Sequence, residues 1–266
     1  MKKISSLLTA IAAVAVISAP AVAADMRMPM KAAPPPVVAV FNWTGFYIGG
    51  FVGGAVADGD AESTPPANGL VTYNGPLGNS YSLDSSFIGG GTIGYNWQPV
   101  GSQFVLGIEG EVGYLRLRRS VADANNTLLT GPNGFDSTHI GDWYGVIAGR
   151  AGIAFDRVLL YAKGGVAFVD KSYNWTDTCV VAPCGPSTLS ITNSDTQVTW
   201  AAGAGVEWAF APNWSLKGEY LYIDTKETTT QSAIAGGAGP AAGLLWTNSH
   251  SDPGIHTGKF GVNYRF

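Results

Sequence analysis

The last eleven residues alternate without a break. His256, Gly258, Phe260, Val262, Tyr264 and Phe266 fall on one parity, and Thr257, Lys259, Gly261, Asn263 and Arg265 on the other. Period-two alternation marks a strand with two unlike faces. An apolar-out, polar-in strand that runs to the final residue predicts a transmembrane β-barrel closing on itself.

Seven segments upstream repeat the pattern. Phe87, Ile93, Tyr95 and Trp97 oppose Thr92, Asn96 and Gln98. Phe104, Leu106, Ile108, Val112 and Tyr114 oppose Gln103, Glu109 and Glu111. Trp143, Ile147, Ile153 and Phe155 oppose Asp142 and Arg150, and Val158, Leu160, Val166 and Phe168 oppose Tyr161 and Lys163. Val198, Trp200, Val206, Trp208 and Phe210 oppose Gln197, Thr199 and Glu207. Trp214, Leu216, Tyr220 and Tyr222 oppose Ser215, Lys217 and Glu219. The remaining segment, residues 43–57, carries Phe46, Ile48, Val52 and Val56 on one parity but Tyr47 and Phe51 on the other, which leaves its facing open.

A soluble sandwich would also alternate, so the connections decide. Residues 98–103, 156–157 and 211–213 make short links, whereas 58–85, 120–140, 172–195 and 225–253 make long polar ones, and the two kinds alternate strictly. That asymmetry is the pattern of an outer-membrane barrel with tight periplasmic turns and large external loops, and an even strand count puts both termini in the periplasm. Outward aromatics near the short turns (Trp97, Phe104, Phe155, Phe210, Trp214, Phe266) mirror those near the long loops (Phe87, Tyr114, Trp143, Phe168, Trp200, Tyr222). About ten residues separate the two girdles within a strand, which at ~3.4 Å per residue and a tilt near ~40° is roughly 26 Å, the height of an apolar band. The prediction is an all-β chain forming one eight-stranded, antiparallel, up-and-down transmembrane β-barrel over residues 43–266, in the outer membrane.

The start of the chain fits that destination. Lys2 and Lys3, an apolar run over residues 7–17 and Ala21-Val22-Ala23 read as a signal peptide of residues 1–23. Its apolar core is too short for a spanning helix, and no later stretch is long enough for one. Residues 24–42, with Pro34-Pro35-Pro36, have no periodicity and read as an extended periplasmic tether.

Charged residues make up only 13% of the chain, against about 25% in soluble domains, as suits a membrane wall. The net charge is −4 at neutral pH, and loss of Lys2 and Lys3 with the signal makes it more negative, which argues against nucleic acid as a partner. Cys179 and Cys184, with four residues between them in a long loop of an exported chain, predict a local disulfide. No further ligands cluster there to make a metal site.

Several motifs have a plain reading. Gly89-Gly90-Gly91-Thr92-Ile93-Gly94 satisfies a dinucleotide fingerprint, but that motif must open a helix and here period-two alternation runs on through Trp97. The groups that might serve an enzyme are Asp136, Ser137, His139 and Asp142, the run Ser249-His250-Ser251-Asp252, and His256 on the outward parity. The first two sets sit mainly in long loops, where catalytic groups lack rigid support, and no motif flanks His256. No catalytic residue, cofactor or metal is expected.

The inward charges carry more. Glu109, Arg150, Lys163 and Glu219 lie at one height above the short-turn girdle, with Glu111, Glu207, Lys217 and Lys259 nearby. An eight-stranded barrel has room inside only for side chains, and unpaired charges there are costly. Mixed signs therefore predict a paired network that plugs the lumen, the alternative being a charged constriction selecting ions. Arg116 and Arg118 continue the outward parity beyond Tyr114, placing guanidiniums where lipopolysaccharide phosphates would meet them, unless they are simply a solvated strand end.

Two stretches carry a family resemblance. Asn42-Trp43-Thr44-Gly45-Phe46-Tyr47-Ile48-Gly49-Gly50, following a Pro/Ala-rich tether, and the closing Gly261-Val262-Asn263-Tyr264-Arg265-Phe266 resemble the small outer-membrane immunogenic, or surface-antigen, β-barrels of Gram-negative α-proteobacteria, often called porin-family proteins. The resemblance covers essentially the whole mature chain. It implies an abundant, surface-exposed, antigenic barrel with a structural or interactive role, embedded in outer-membrane lipid and lipopolysaccharide and open to a host or environmental surface ligand. It also implies that Phe266 is the signal read by the barrel assembly machinery.

Overall fold

A computed structural model describes residues 41–68, 78–122, 134–179 and 186–266. The expected signal and nearly all of the expected tether lie outside these residues, as does Cys184, so the expected disulfide does too.

Among the described residues every regular element is a strand. In order these are β1 Gly45–Ala57, β2 Asp60–Ser63, β3 Asn79–Ser82, β4 Ser86–Trp97, β5 Phe104–Tyr114, β6 Arg116–Ala122, β7 Phe135–Phe155, β8 Val158–Cys179, β9 Ser187–Ala209, β10 Trp214–Ile223, β11 Glu227–Ile234, β12 Gly236–Gly237, β13 Leu245–Asp252 and β14 Ile255–Arg265. Antiparallel pairing runs β1, β4, β5, β7, β8, β9, β10, β14 and back to β1. That ring of eight leaves no strand edge for lipid to face, which is the condition for crossing a bilayer with strands. The expected glycine-rich fingerprint lies wholly inside β4, extended throughout.

The facing of the wall follows parity. Ile93 is 62% exposed and its neighbour Thr92 3%. In β1 the ambiguity resolves in favour of Phe46, Ile48, Val52 and Val56 outward, with Tyr47 and Phe51 buried in the lumen. Large aromatic and aliphatic side chains that would be costly to hydrate cover the outside, where lipid is the solvent.

Three wall strands outrun the membrane. β8 has 22 residues, which at ~3.3 Å per residue is about 70 Å of strand, well beyond an apolar band of ~25 Å. Residues 172–195, read from sequence as a loop, are largely the continuation of the β8–β9 hairpin, in register from Ser172↔Ser194 to Cys179↔Ser187. A second sheet, in the order β11, β13, β2, β3, gathers the 58–85 and 225–253 connections into one body at the same end.

The β7 strand contains a correction. Asp142, expected to face inward beside Arg150, is exposed on a bulge where the β7–β8 register shifts between Ile140 and Tyr144. Gly141 and Asp142 both have positive φ there, at 113° and 76°. Extra residues on one strand break simple alternation, and a single sequence pattern does not reveal them.

Candidate functional site

The lumen is the natural place to look, because the wall strands all send side chains into it. From the short-turn end upward it holds distinct layers. Trp43, Val105, Ala154, Leu159, Tyr161 and Ala209 form a small apolar cluster at the bottom. Above it come the charges, and above those a large apolar cluster that includes Phe51, Ile88, Leu115, Leu117, Ile140, Tyr144, Val169, Leu221 and Ile255.

The structure brings together all eight of the inward charges named from sequence, each buried. Lys163 is their centre. Its Nζ lies 2.9 Å from Glu109, 2.9 Å from Glu111 and 2.7 Å from Glu219. Lys259 bridges Glu111 at 2.5 Å and Glu219 at 2.8 Å, and Lys217 stands 3.5 Å from Glu109 and 4.0 Å from Glu219. Arg150 turns the other way, donating to Glu207 at 2.9 Å and lying 3.6 Å from Glu109. Four acids thus face four bases, so the formal charges of the layer cancel.

Sequence reasoning missed the hydroxyls that complete it. Tyr47 donates to Glu109 at 2.8 Å, Tyr144 to Glu111 at 2.6 Å and Tyr161 to Glu219 at 2.7 Å. Each of the three central carboxylates is therefore capped by one phenol. Ser215 and the Asn263 amide donate to Glu207 at 2.5 and 2.9 Å. The guanidinium of Arg150 lies 3.9 Å from the ring centre of Tyr161, a further cation–π stabilisation. The available signal was tyrosine on the polar parity of its strand, as at Tyr161 beside Lys163.

Glu109, Glu111 and Glu219 converge closely enough that their oxygens could hold a cation. Lys163 already supplies that positive charge within 2.9 Å of each. The geometry is that of a salt-bridge lattice, in which each charge has several opposite neighbours.

A second buried polar cluster lies outside the membrane part, where the second sheet meets β7 and β8. Asp136 accepts hydrogen bonds from Ser63, from Asn79 at 3.2 Å and from Tyr81 at 2.9 Å. Thr138 lies 2.9 Å from Tyr81 and 3.0 Å from Nε2 of His250, whose ring stacks on Tyr173 with centroids 3.9 Å apart. Lys171 bridges Glu227 and Asp252 at 2.9 Å each, tying β8 to both β11 and β13. Burial works against the charge on Asp252, but the His250 hydrogen bond and the Lys171 ammonium outweigh it and hold the carboxyl below its usual range. Burial likewise works against the Lys171 charge, and its two carboxylate partners raise it above the usual lysine value.

The loop residues named from sequence as those that could serve an enzyme lie in or near this cluster. The hydroxyl that meets His250 belongs to Thr138, while Ser249 and Ser251 face the other way and pair with Thr230 at 3.1 Å and Thr228 at 2.8 Å. Ser137 donates to the Asn174 carbonyl at 3.4 Å, and His139 lies 3.4 Å from Asp142. His256 sits on the outer wall with Nδ1 2.6 Å from the Tyr220 hydroxyl. Thr138, His250 and Asp252 do form one chain of contacts, but the hydroxyl and the carboxylate both meet Nε2 of the ring, so the carboxylate does not orient the imidazole through Nδ1 as in a catalytic triad.

Arg116 and Arg118 both point outward above the girdle. Arg116 lies 3.4 Å from Asp142, and the adjacent Arg119 pairs with Asp84 at 2.8 Å. No carboxylate among the described residues pairs with Arg118. Phe266 is 74% exposed, with its backbone N–H donating to the Phe46 carbonyl at 3.0 Å across the β1–β14 seam.

Comparison with known proteins bears on these features. Residues 9–266 match the family described as outer membrane protein beta-barrel domain. The chain is 31% identical to the 31 kDa outer-membrane immunogenic protein of Brucella melitensis biotype 1, over 98% of this chain and 99% of that protein. It is 29% identical to the 22 kDa outer membrane protein of Rhizobium leguminosarum bv. viciae, over 71% of this chain and 67% of that one. Among solved structures, OprG of Pseudomonas aeruginosa aligns at a TM-score of 0.45 with 13% identity, over 85% of this chain and 99% of OprG.

Proposed function

Because this chain belongs to the outer-membrane β-barrel family, and its relatives are outer-membrane immunogenic proteins, we propose that it is a structural, non-enzymatic barrel with a plugged lumen, holding a surface-exposed antigenic body outside the cell. One observation carries the plugged lumen. The interior carries in succession an apolar floor, a lattice of eight paired charges and an apolar upper core. Each of the eight charges in the lattice already has a partner of opposite sign. A selective pore needs a ring of like sign or of free carbonyls, with room for the ion between.

The wall ends outside the membrane in a body that has a core of its own. Tyr173, Trp175, Leu189, Ile191 and Trp246 are buried together beneath the second sheet. Such packing holds one defined surface outward, which suits contact with a host or environmental ligand and suits antibody recognition.

The mature chain refolded into planar bilayers is expected to insert and stay silent, beside a trimeric porin that conducts. Steady single-channel steps from the folded barrel would overturn the plug and favour the alternative of a narrow pore for small solutes or ions.

Two partners follow from the same reading. Arg118, which pairs with no carboxylate among the described residues, together with Arg116, is placed to bind lipopolysaccharide phosphate, for which a planar guanidinium is well matched. Arg116→Ala combined with Arg118→Ala should weaken binding to lipopolysaccharide vesicles by roughly tenfold, about the ~1.4 kcal/mol expected of charge-assisted hydrogen bonds. Unchanged binding would reduce these residues to a solvated strand end. Phe266 is the proposed contact for the barrel assembly machinery.

A further inference from the structure

We propose that residues 41–44 form a strap that locks the seam between β1 and β14 and closes the short-turn mouth of the lumen. The seam is the one strand pair in the ring with no direct covalent link at either end. The pairs β4–β5, β7–β8 and β9–β10 are joined by short turns, and β1–β4, β5–β7, β8–β9 and β10–β14 by the longer connections, whereas β1 and β14 are the first and last strands. Bringing together segments so far apart in sequence carries a chain-entropy cost that no turn offsets.

The strap supplies what the missing turn does not. Trp43 is 1% exposed, and its contacts reach across the mouth. Its backbone N–H donates to the Gln98 side-chain carbonyl at 2.8 Å, and its indole N–H to the Asp156 carbonyl at 3.0 Å. The Thr44 hydroxyl accepts from the Gln98 N–H at 2.9 Å, and the Phe41 N–H donates to the Asp156 carboxylate at 3.2 Å. Two of the three short turns are thereby fastened directly.

Arg265, near the end of β14, fastens the third. Its guanidinium lies 4.3 Å from the ring centre of Phe41 and 5.5 Å from that of Trp43, while also donating to the Pro212 carbonyl at 2.9 Å. The Asn213 side chain donates to the Arg265 carbonyl at 2.7 Å. Chain entering β1 and chain leaving β14 are thus clamped to each other and to every short turn. Behind the strap lies a small chamber lined by Trp43, Tyr47, Asn96, Glu207, Ala209 and Asn263. Undocking the strap would open that chamber to the short-turn side without parting the charge layer above it.

The test is backbone amide exchange of the refolded mature chain in lipid nanodiscs, resolved by strand. In Trp43→Ala, amides of β1 and β14 should exchange about tenfold faster while those of β7 and β8 keep their protection, because only the seam loses its lock. Gln98→Ala, which removes the acceptor for the Trp43 N–H together with the Gln98 bond to the Ser102 carbonyl inside the short turn, should give the same seam pattern in weaker form and serves if Trp43→Ala does not fold. Exchange unchanged at the seam, or raised equally around the ring, would overturn the strap and leave Trp43 as ordinary packing.

Discussion

Lys163→Met should cost the barrel about 3–5 kcal/mol, the range for breaking a buried ion pair by removing one partner. The substitution keeps most of the side-chain volume, so the loss is electrostatic. Glu109, Glu111 and Glu219 converge on this one ammonium, and without it four carboxylates share three cations in a buried layer. Their phenol caps remain, and Lys217 and Lys259 still reach some of the oxygens, which keeps the estimate at the level of one broken pair. Against a total stability of about 5–15 kcal/mol, that is enough to populate unfolded chain. The measurement is the urea midpoint of the barrel in lipid vesicles, followed by the heat-sensitive shift in gel mobility. Adding Glu109→Gln to Lys163→Met restores neutrality and should recover a substantial part of the loss. A single variant as stable as the parent would mean that the lattice contributes no net stability, as can happen when desolvation cancels attraction.

The barrel was legible because lipid enforces a simple rule. Within the bilayer, the outward parity must be apolar, so Phe104, Leu106 and Ile108 announce a wall strand and Glu109 and Glu111 between and beyond them announce the lumen. The charge layer was legible for the same reason, since a charge in the middle of such a strand has nowhere to point except inward. Beyond the girdle the solvent becomes water and the rule inverts. On β8 the odd positions that carry Tyr161 and Lys163 in the lumen carry buried Tyr173 and Trp175 further up, while the even positions turn to Ser172, Asn174 and Thr176. A reader following apolar-out alternation sees the strand stop at Phe168, although the backbone continues unbroken to Cys179. β9 hides Leu189 and Ile191 in the same way.

What stayed hidden in the candidate sites depends on contacts between distant segments. Tyr47, Tyr144 and Tyr161 come from three strands and meet three glutamates on two others, a convergence that only ring closure creates. The clusters around Asp136 and Lys171 require the second sheet, whose short strands carry Ser and Thr in place of an apolar pattern. Trp43 looked like the start of the wall, since nothing local says that its indole turns inward beneath three turns.

Gly165→Ala and Gly149→Ala should differ sharply, although both glycines lie near mid-wall on adjacent strands. Gly149 is on the outward parity, and a methyl group built there has no protein atom within 4 Å. Alanine in its place would enter lipid, narrow the unfolded ensemble and change stability by no more than about 0.4–1 kcal/mol, in the stabilising direction. Gly165 points into the lumen opposite Ala148. A methyl there would strike the Ile147 carbonyl oxygen and lie 2.6 Å from the Ala148 Cα. Those are backbone atoms of the paired strand, with no flexible side chain to swing aside, so β7 and β8 would have to separate. Overpacking of this kind costs about 1–3 kcal/mol or more, and the strained contact lies two residues from Lys163, at the next inward position of the same strand. Urea midpoints of the two variants in the same vesicles provide the comparison. Equal midpoints would mean that the β7–β8 pair yields more easily than its register implies. A large loss at Gly165 alone would show that the inward glycines set how closely the wall strands approach, and through that spacing whether the charges inside can meet.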